Sequence, residues 1–395
     1  MKKRLLITFL SLSLVSLFTD MTYEGARSII GAYLELLGAT AIVAGFVGIG
    51  EFIGYLMRGV GGFVAGLSRS SKVYWSLVYM GYAVNLFAIP LLGLVSDWRT
   101  ALVLVLVERI GKGLRTPARD VILAEVTEGT GRGKGFGLHE LLDQIGAIAG
   151  PGIVLYVLTR SGIRTAFIIL ALPALVALFF LVIASISYPH IRSVEKQDKE
   201  LEKGYRGGLG RIFWFYIASI ILFSLGFIHW SLVTYHVSYI GLIETELIPT
   251  LYILAMAVDA AVAFPAGYLY DRVGPVSMAF MPAAVALVVP LLLTNSVNLV
   301  LASSILWGVV MGIFETNMRV IVADIVSPEK RAYAYGLYGA LYGLSWGLGN
   351  VLMGTLYTLS KQYLMTYTVL MESTASIVMA RVVYETYRKR NVTSD

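Results

Sequence analysis

The chain has 395 residues, of which 57% are hydrophobic and only 14% charged, and it contains no cysteine. No soluble core hides so much apolar surface, and the apolar runs reach the roughly 20 residues that a helix needs to cross a bilayer. The composition therefore predicts a polytopic membrane protein and excludes disulfides and cysteine nucleophiles. The net charge of +6 has no soluble domain to carry it, so a nucleic-acid partner is not expected.

Twelve apolar runs follow one another, six on either side of a polar midpoint. A backbone in hydrocarbon must satisfy its own hydrogen bonds, and runs rich in Leu, Ala and Gly do so as helices rather than barrel strands. We predict an all-α membrane protein made of two pseudo-symmetric six-helix bundles, residues 1–190 and 211–395, with a cytoplasmic linker at 191–210. The predicted spans are about 5–36, 39–66, 72–95, 99–126, 135–159, 164–189, 211–239, 246–270, 276–294, 297–326, 332–358 and 362–387.

The ends of the chain predict its orientation. The apolar run after Arg4 has no small-residue cleavage site before Asp20, which indicates a retained first span rather than a signal peptide. When alternate loops are assigned to opposite sides, 19 basic residues lie on the side of the N-terminus and four on the other. Both termini are therefore predicted to be cytoplasmic, in a cell membrane (inner or plasma membrane) that the chain crosses several times.

Residues 122–151 recur 199 positions later. A doubled unit in so apolar a chain predicts a transporter, because parallel repeats can rock about one central site. The matching positions are Ala124, Arg132, Gly137, Leu138, Leu142 and Gly150 in the first copy and Ala323, Arg331, Gly336, Leu337, Leu341 and Gly349 in the second.

Charged residues inside the predicted spans lie on single helix faces. Each costs about 2.5–3.5 kcal/mol at a helix centre, so each needs a partner, a wet cavity or a function. We expect these faces to line the interior of the first bundle or a central substrate cavity. They are Asp20, Glu24 and Arg27 in span 1, Glu51 and Arg58 in span 2, Glu108, Lys112, Arg115 and Arg119 in span 4, and Glu140 and Asp143 in span 5.

Two interpretations of these charges stay open. Acids and bases nearly cancel, as in a structural network of ion pairs. Alternatively, one or two acids exchange protons, because burial and a neighbouring cation act in opposite directions on a carboxyl pKa. The proton-coupling candidates are Asp20, Glu24, Glu108 and Asp143, with Arg109 as a mobile counter-charge and His139 as a relay one turn from Asp143. A single histidine on such a helix is also typical of a simple hydrogen-bonding residue.

The second half has fewer clustered charges and more aromatic residues. Its charged or polar candidates for the substrate cavity are His236, Glu315 and Arg319. The aromatic candidates are Trp230, Tyr338 and Tyr342, which either pack between helices or bind an amphipathic or cationic substrate by stacking and cation–π contact.

Three motifs give the chain a family resemblance. After span 8, Gly267 is followed by Asp271-Arg272, and a degraded copy begins at Gly62 after span 2. Span 4 contains Arg109-x-x-x-Gly113, and span 5 contains Gly137, Gly146 and Gly150-Pro151. The first two motifs resemble the gating loop and the span 4 motif of the major facilitator superfamily. The third resembles that family's antiporter signature, in which small residues permit close helix packing and the proline bends the helix.

The resemblance implies a drug:proton antiporter, and it also extends to a prokaryotic branch of the superfamily that gives no substrate. In this family the carboxylate of the gating loop is expected to lie against a helix N-terminus and to latch one conformation. The partners implied are a small-molecule substrate, protons and the lipid bilayer, with the protein acting as a monomer.

Three hypotheses of function follow. The first is a secondary active transporter working by alternating access, which exports a small hydrophobic or cationic compound by proton antiport. The alternative is proton-linked or exchange transport of a small organic or inorganic anion along the basic stripe Lys112, Arg115 and Arg119. A receptor or scaffold that has lost transport is the third. We expect no enzyme, metal or cofactor, since the sequence has no metal-binding His pair and no phosphate-binding glycine loop.

Overall fold

The computed structural model describes residues 2–68, 70–127, 132–192, 209–327 and 330–392. Regular structure in these residues is entirely helical, as expected for a backbone that finds no water to bond inside a membrane. Within this part of the chain, seven helical segments are long and apolar enough to cross a membrane. The predicted all-α membrane fold is confirmed. Most of the predicted linker lies outside the described residues.

In the first half of the chain, the first span is bent between α1 and α2, and the second is broken between α3 and α4. A later long helix is interrupted once. That helix, α7, stays helical through Pro151 and leaves helical geometry at Gly162, where φ is 78° and ψ is 172°. The boundary between spans 5 and 6 is therefore a single glycine. The helices are α1 (Lys2–Arg27), α2 (Ile30–Leu36), α3 (Ala41–Phe46), α4 (Ile49–Leu67), α5 (Ser71–Leu91), α6 (Trp98–Val126), α7 (Arg132–Ile169) and α8 (Ala171–Ser187).

The second half repeats this order. Its first span is also broken, because α9 ends at Gly226 and α10 starts at Trp230. The helices are α9 (Arg211–Gly226), α10 (Trp230–Tyr239), α11 (Ile248–Val273), α12 (Met281–Leu292), α13 (Val297–Ile325), α14 (Arg331–Leu359) and α15 (Lys361–Val392).

Side chains of α14 satisfy the backbone groups that the break between α9 and α10 releases. The amide oxygen of Asn350 accepts from His229 N at 2.6 Å, and its nitrogen donates to Phe227 O at 3.1 Å. The indole of Trp346 donates to the same carbonyl at 2.7 Å. A buried helix break is stable only when such partners replace the lost helical bonds.

The chain divides into two compact units, and each contains a short segment from the other half of the sequence. Apolar side chains from α1, α5, α6 and α8 form the core of the first unit, and the core of the second contains a series of stacked aromatic rings among aliphatic side chains. The domain boundaries expected at the linker stay a prediction. The first unit is Met1–Gly38, Ile53–Gly204 and Glu246–Ile253; the second is Ala39–Phe52, Tyr205–Thr245 and Leu254–Asp395.

Glycines at equivalent positions of the repeat make the same close contacts in both units. Gly150 of α7 packs against the carbonyl of Met21 in α1, and Gly349 of α14 packs against the carbonyl of Leu225 in α9. A methyl group at either glycine would overlap the facing carbonyl oxygen. Small residues therefore set the helix spacing, as is common inside membranes.

A second pair of contacts follows the same repeat. Gly113 of α6 packs against the carbonyl of Gly54 in α4, and Gly312 of α13 packs against that of Asp259 in α11. Gly113 is the last residue of the Arg109-x-x-x-Gly113 motif, so this motif has a direct packing role.

Candidate functional site

Gly146 brings two acidic side chains on neighbouring helices together. A Cβ on this glycine would overlap Leu17 O and approach Asp20 Cβ to 3.0 Å, so α1 and α7 are in close contact here. Asp20 of α1 and Asp143 of α7 are electrostatic neighbours at this contact. Both are partly exposed, and the side chain of Asp143 is 20% accessible. The packing motif of span 5 therefore positions a pair of carboxyl groups.

His139 lies beside this pair, as the sequence predicted. Its Nε2 is 3.8 Å from Asp143 Oδ2, and its Nδ1 is 3.4 Å from Ser13 Oγ. Ser16 hydrogen-bonds the carboxylate of Asp143. In the described part of the chain, the other oxygen of Asp143 has no hydrogen-bond partner. One carboxylate oxygen is thus buried without a hydrogen-bond donor.

Glu24 lies one turn further along α1 than Asp20 and is buried. Its Oε1 is 3.5 Å from Arg27 Nη1, and the hydroxyl of Tyr252 in α11 donates to its other oxygen. The segment that contains Tyr252 belongs to the first unit. Glu24 is therefore bound by a cation and a hydroxyl. It has fewer free positions for a proton or a ligand than the aspartate pair.

Glu108 and Arg109 form an ion pair inside the first unit. Arg109 Nε lies 3.0 Å from Glu108 Oε2, both side chains are at most 6% exposed, and Asn85 of α5 donates to the other oxygen of Glu108. The sequence suggested Arg109 as a mobile counter-charge. Instead, the structure pairs it with the adjacent acid, and its part in coupling stays a prediction.

The next two cations of α6 contact aromatic faces. Lys112 Nζ lies 3.8 Å from the ring centroid of Tyr23, and the guanidinium of Arg115 lies 3.9 Å from that of Tyr82. Arg115 is only 2% exposed, and its Nε and Nη1 have no hydrogen-bond partner among the described residues. Both cations are electrostatic neighbours of Asp20. The acid pair and the basic stripe therefore form one site.

Arg119 does not continue this stripe as a free cation. It donates to Asp120 Oδ1 at 2.7 Å, and Asp120 is 48% exposed. The helix continues through Pro117, so Arg119 stays on the same helix as Lys112 and Arg115. Arg119 is nonetheless an electrostatic neighbour of Asp143 and His139, so the basic stripe keeps its third member, with Asp120 as its partner.

The remaining charged candidates of the first half are Glu51, Arg58 and Glu140, and Glu140 is an electrostatic neighbour of His139. Glu51 is half-buried and belongs to the second unit, whereas Arg58 belongs to the first and contacts the ring of Tyr55 at 5.2 Å. Both residues belong to the uninterrupted helix α4, and their role in a substrate cavity stays a prediction. Glu140 is exposed on α7.

The aromatic candidates of the second half lie inside their unit. Trp230 is fully buried against Trp307, with ring centroids 5.0 Å apart, and Tyr338 and Tyr342 stack at 6.1 Å. Packing accounts for these positions, and their role in substrate binding stays a prediction. His236 is buried and bonds Tyr357 Oη at 2.7 Å. Glu315 is exposed, and the side chain of Arg319 lies outside the described ones.

The glycines of the gating motif make equivalent contacts in the two units. A Cβ on Gly62 would lie 3.7 Å from Pro117, and one on Gly267 would lie 3.3 Å from Thr316. Asp271 and Arg272 are exposed, and Arg272 stacks 4.5 Å from the ring of Tyr268. The latch expected for Asp271 stays a prediction, and Gly137 lies outside the described side chains.

Sequence reasoning missed the neutral residues that hold these charges. Asn85, Tyr23, Tyr82 and Tyr252 have no motif that distinguishes them from the other polar and aromatic residues of the spans. The one signal they share is their spacing along the helix, which places them on the side that faces charged residues. Among the described residues, no group of His, Asp or Glu side chains is arranged to hold a metal ion.

This fold and site define a polytopic helical membrane protein with a buried charged centre in one of two repeated units. Residues 12–245 and 238–394 match the Major Facilitator Superfamily, and the chain belongs to this family of membrane transporters.

Relatives extend along nearly the whole chain. An uncharacterized protein of Mycobacterium bovis is 36% identical over 373 residues, covering 92% of this chain and 90% of its own. An uncharacterized MFS-type transporter of Methanocaldococcus jannaschii is 26% identical over 366 residues, covering 90% of each chain.

Solved transporters share the fold at low sequence identity. The nucleoside transporter NupG superimposes with a TM-score of 0.73 at 15% identity, covering 96% of this chain and 99% of its own. A bacterial homolog of the human lysosomal transporter Spinster gives a TM-score of 0.74 at 14% identity, covering 98% of both chains. These similarities concern the fold alone and do not indicate a substrate for this chain.

Proposed function

We propose that the protein is a secondary active transporter that works by alternating access and exports a small hydrophobic or cationic compound in exchange for protons. The observation that carries this proposal is the Asp20–Asp143 pair, two carboxyl groups placed side by side by the Gly146 contact. Two like charges this close disfavour each other, so the pair is suited to hold one proton between its members.

The surrounding cations make the protonation state of the pair sensitive to a ligand. Lys112 and Arg115 are electrostatic neighbours of Asp20 and favour its charged form. A bound cationic compound would favour that form further and expel the shared proton. Proton and substrate would then occupy the site alternately, and each lowers the affinity of the other by the same factor. This reciprocity is what antiport requires.

The proposed location of the protein rests on the charges of its loops. We place it in the inner or plasma membrane with both termini in the cytoplasm, on the distribution of basic residues between loops. The transporting species is proposed to be the monomer, with a small molecule and protons as its partners. Export is the direction that the antiporter-like signature of span 5 favours.

Proton movement in sealed proteoliposomes tests the coupling. A pH-sensitive dye reports proton release after lipophilic cations, neutral hydrophobic compounds and organic anions are added in turn under an imposed gradient. We expect lipophilic cations to release protons from vesicles containing the wild-type protein and Asp143→Asn to abolish this release. Asp97→Asn is the matched control, because Asp97 is exposed at the start of α6, and it should behave as wild type.

A response to anions that Asp143→Asn leaves unchanged would reject the antiporter. That result would favour a second function, transport of a small organic or inorganic anion. Its supporting observation is Arg115, whose buried guanidinium has two nitrogens without hydrogen-bond partners among the described residues. In that case Arg115→Gln should abolish anion flux. Arg160→Gln should not, since Arg160 stacks on Tyr156 at 3.8 Å but is exposed.

A further inference from the structure

A lone carboxyl group is buried in the second unit, far along the chain from the charged site. Glu372 of α15 is 0% exposed, and neither of its oxygens has a hydrogen-bond partner in the residues that the structure describes. It faces the last residue of α9, because a Cβ on Gly226 would lie 2.5 Å from Glu372 Oε1. No sequence motif includes this residue.

Among the residues that the structure describes, no cation pairs with this carboxyl group. Helices α9, α12 and α14 and the short helical turn Gly274–Met278 pack against α15, and that turn contains no titratable residue. On α15 itself, Arg381 pairs with Glu385, and Lys361 is the first residue of the helix. The one charged residue of α9 is Arg211, which stacks on Phe215, and the one charged residue of α14 is Arg331, which donates to the carbonyls of Ala323 and Val326. Helix α12 contains no titratable residue.

The neighbouring titratable hydroxyls are also engaged elsewhere. Tyr367, an electrostatic neighbour of Glu372 on α15, donates to Leu225 O at 3.0 Å. Tyr216 of α9 donates to Met318 O at 2.7 Å. Neither donates to Glu372.

The position of Glu372 also opposes a negative charge. Gly226 is the last residue of α9, so the carboxyl group lies at the negative end of that helix dipole. A buried carboxylate without a cation or a donor is strongly unfavourable, and such a group becomes neutral by taking up a proton. Thr368, one turn away on α15, is fully buried and has an oxygen without a partner among the described residues. Neither this hydroxyl nor the carboxyl group of Glu372 forms a hydrogen bond in the described part of the chain.

We propose that Glu372 is a second proton-binding site, which carries a proton while α9 ends at Gly226 and releases it when the break between α9 and α10 rearranges. On release, the O–H bond of the carboxylic acid breaks, the proton passes to water, and the carboxylate is left to be solvated by that water and by backbone N–H groups freed at the break. Broken helices commonly place ion sites at such positions in transporters.

A proton suits this place better than a sodium ion. Sodium needs several oxygen ligands, and carbonyls beside the break are already occupied. Leu225 O accepts from Tyr367, and Phe227 O accepts from both Trp346 and Asn350. A proton needs a single oxygen of Glu372.

Infrared spectroscopy of the full-length protein in lipid vesicles, without substrate, tests the protonation directly. We expect the carbonyl stretching band of a buried protonated carboxyl group at neutral pH, lost in Glu372→Gln and moved in frequency in Glu372→Asp. Glu385→Gln is the matched control on the same helix, because Glu385 pairs with Arg381 at 2.6 Å, and it should leave the band unchanged.

The Asp20–Asp143 pair can add a band of its own, so the test reads the difference between the wild-type and variant spectra. Three results would overturn the proposal: a wild-type spectrum from which Glu372→Gln removes no carboxyl band, a difference band that Glu372→Asp does not shift, or a difference band that sodium removes when it replaces choline in the buffer. The last result would identify a sodium site. If Glu372→Gln fails to fold, the frequency shift in Glu372→Asp decides the question.

The contribution of Glu372 to transport rests on the proposed function and is measured separately. In the proton-release assay, Glu372→Gln should release fewer protons per substrate than wild type, and Glu385→Gln should match wild type. If no compound moves protons through the wild-type protein, the proposed antiport fails while the infrared result stands. Equal proton counts in wild type and Glu372→Gln would remove Glu372 from the coupling.

Discussion

The last turns of α1 and α9 occupy equivalent places in the two units and differ in charge. Helix α1 ends with Arg27, which lies 3.5 Å from Glu24, so the negative end of this helix dipole has a base and the acid has a partner. Helix α9 ends at Gly226 and has no base in its last turn, and the acid facing it is Glu372 of another helix. The same backbone junction therefore holds an ion pair in one unit and a lone carboxyl group in the other.

The interiors of the two units also differ in charge. The first unit buries a cluster of acids and bases between α1, α6 and α7. The second buries a ladder of stacked rings, with Phe314 and Tyr342 at 4.8 Å, Tyr342 and Trp346 at 5.5 Å, and Phe227 and Trp346 at 5.9 Å. The glycine contacts are nonetheless equivalent. The repeat thus preserves how the backbones pack, while the side chains between them have diverged toward different tasks.

Removing a buried charge from the first unit should have the largest effect. Glu108→Ala leaves Arg109 buried without its acid and leaves Asn85 without its acceptor, so we expect a loss of about 3–5 kcal/mol in the free energy of unfolding. Thermal unfolding in detergent, followed by loss of helical circular dichroism, measures it. Glu385→Ala, which breaks the more exposed pair with Arg381, should cost about 1 kcal/mol or less. Equal losses in the two variants would show that the charged cluster of the first unit is well solvated.

Replacing the equivalent glycines by alanine should destabilise both units equally. Gly150→Ala and Gly349→Ala each force a methyl group against a carbonyl oxygen, and we expect each to destabilise its unit by about 3 kcal/mol. Gly152→Ala is the control, since no heavy atom lies within 4 Å of its Cβ position. Aggregation temperature in detergent is a suitable measurement. A large loss for one glycine and none for the other would contradict the equivalence of the packing.

The smallest expected effect concerns the starts of α6 and α13, which are equivalent in the repeat. Asp97 Oδ1 accepts from Thr100 N at 2.9 Å, and this bond holds the pKa of the Asp97 carboxyl below its usual value. Ser296, at the same place in the second unit, makes no side-chain cap bond. We therefore expect Asp97→Ala to lower the unfolding temperature slightly and Ser296→Ala to leave it unchanged.

The sign of the pH dependence follows from the lowered pKa of Asp97. The stabilisation is fully present above the unfolded-state pKa, about 3.9, and is lost as the pH falls through the folded-state value. The difference between wild type and Asp97→Ala should shrink over this acidic range. Asp97→Asn keeps a cap without a titrating group, so its own cap should show no such dependence. A difference that persists unchanged below the folded-state value would contradict the assignment of the bond.

The sequence was sufficient to predict the fold because few physical solutions exist for it. Apolar runs of bilayer length must be helices, and a doubled pattern limits their arrangement. The positions at which spans break were missed. Residues near Ser28 and Phe227 show no proline or glycine cluster, and the second break is stabilised by Asn350, which is distant in sequence. Local patterns do not reveal such distant partners.

The candidate site was predictable in part for a similar reason. Asp20 and Asp143 lie on faces that periodicity and the cost of buried charge identify, and the glycine motif indicates a close contact between their helices. The pairing of Arg109 with Glu108 was not predicted, because adjacent residues point in different directions on a helix and only flexible side chains bring them together. Tyr252 was not predicted because it comes from the other half of the sequence.

The joints before the last span of each half have a consequence for engineering the chain. Gly162 is the one non-helical residue within α7, and Ser360 is the one residue between α14 and α15. Each joint connects two helices through one non-helical residue, so an insertion there would change the position of the second helix relative to the first. At Ser360 the helix affected is the one that carries Glu372. These two joints therefore act as fixed spacers, and tags or fusion partners belong elsewhere in the chain.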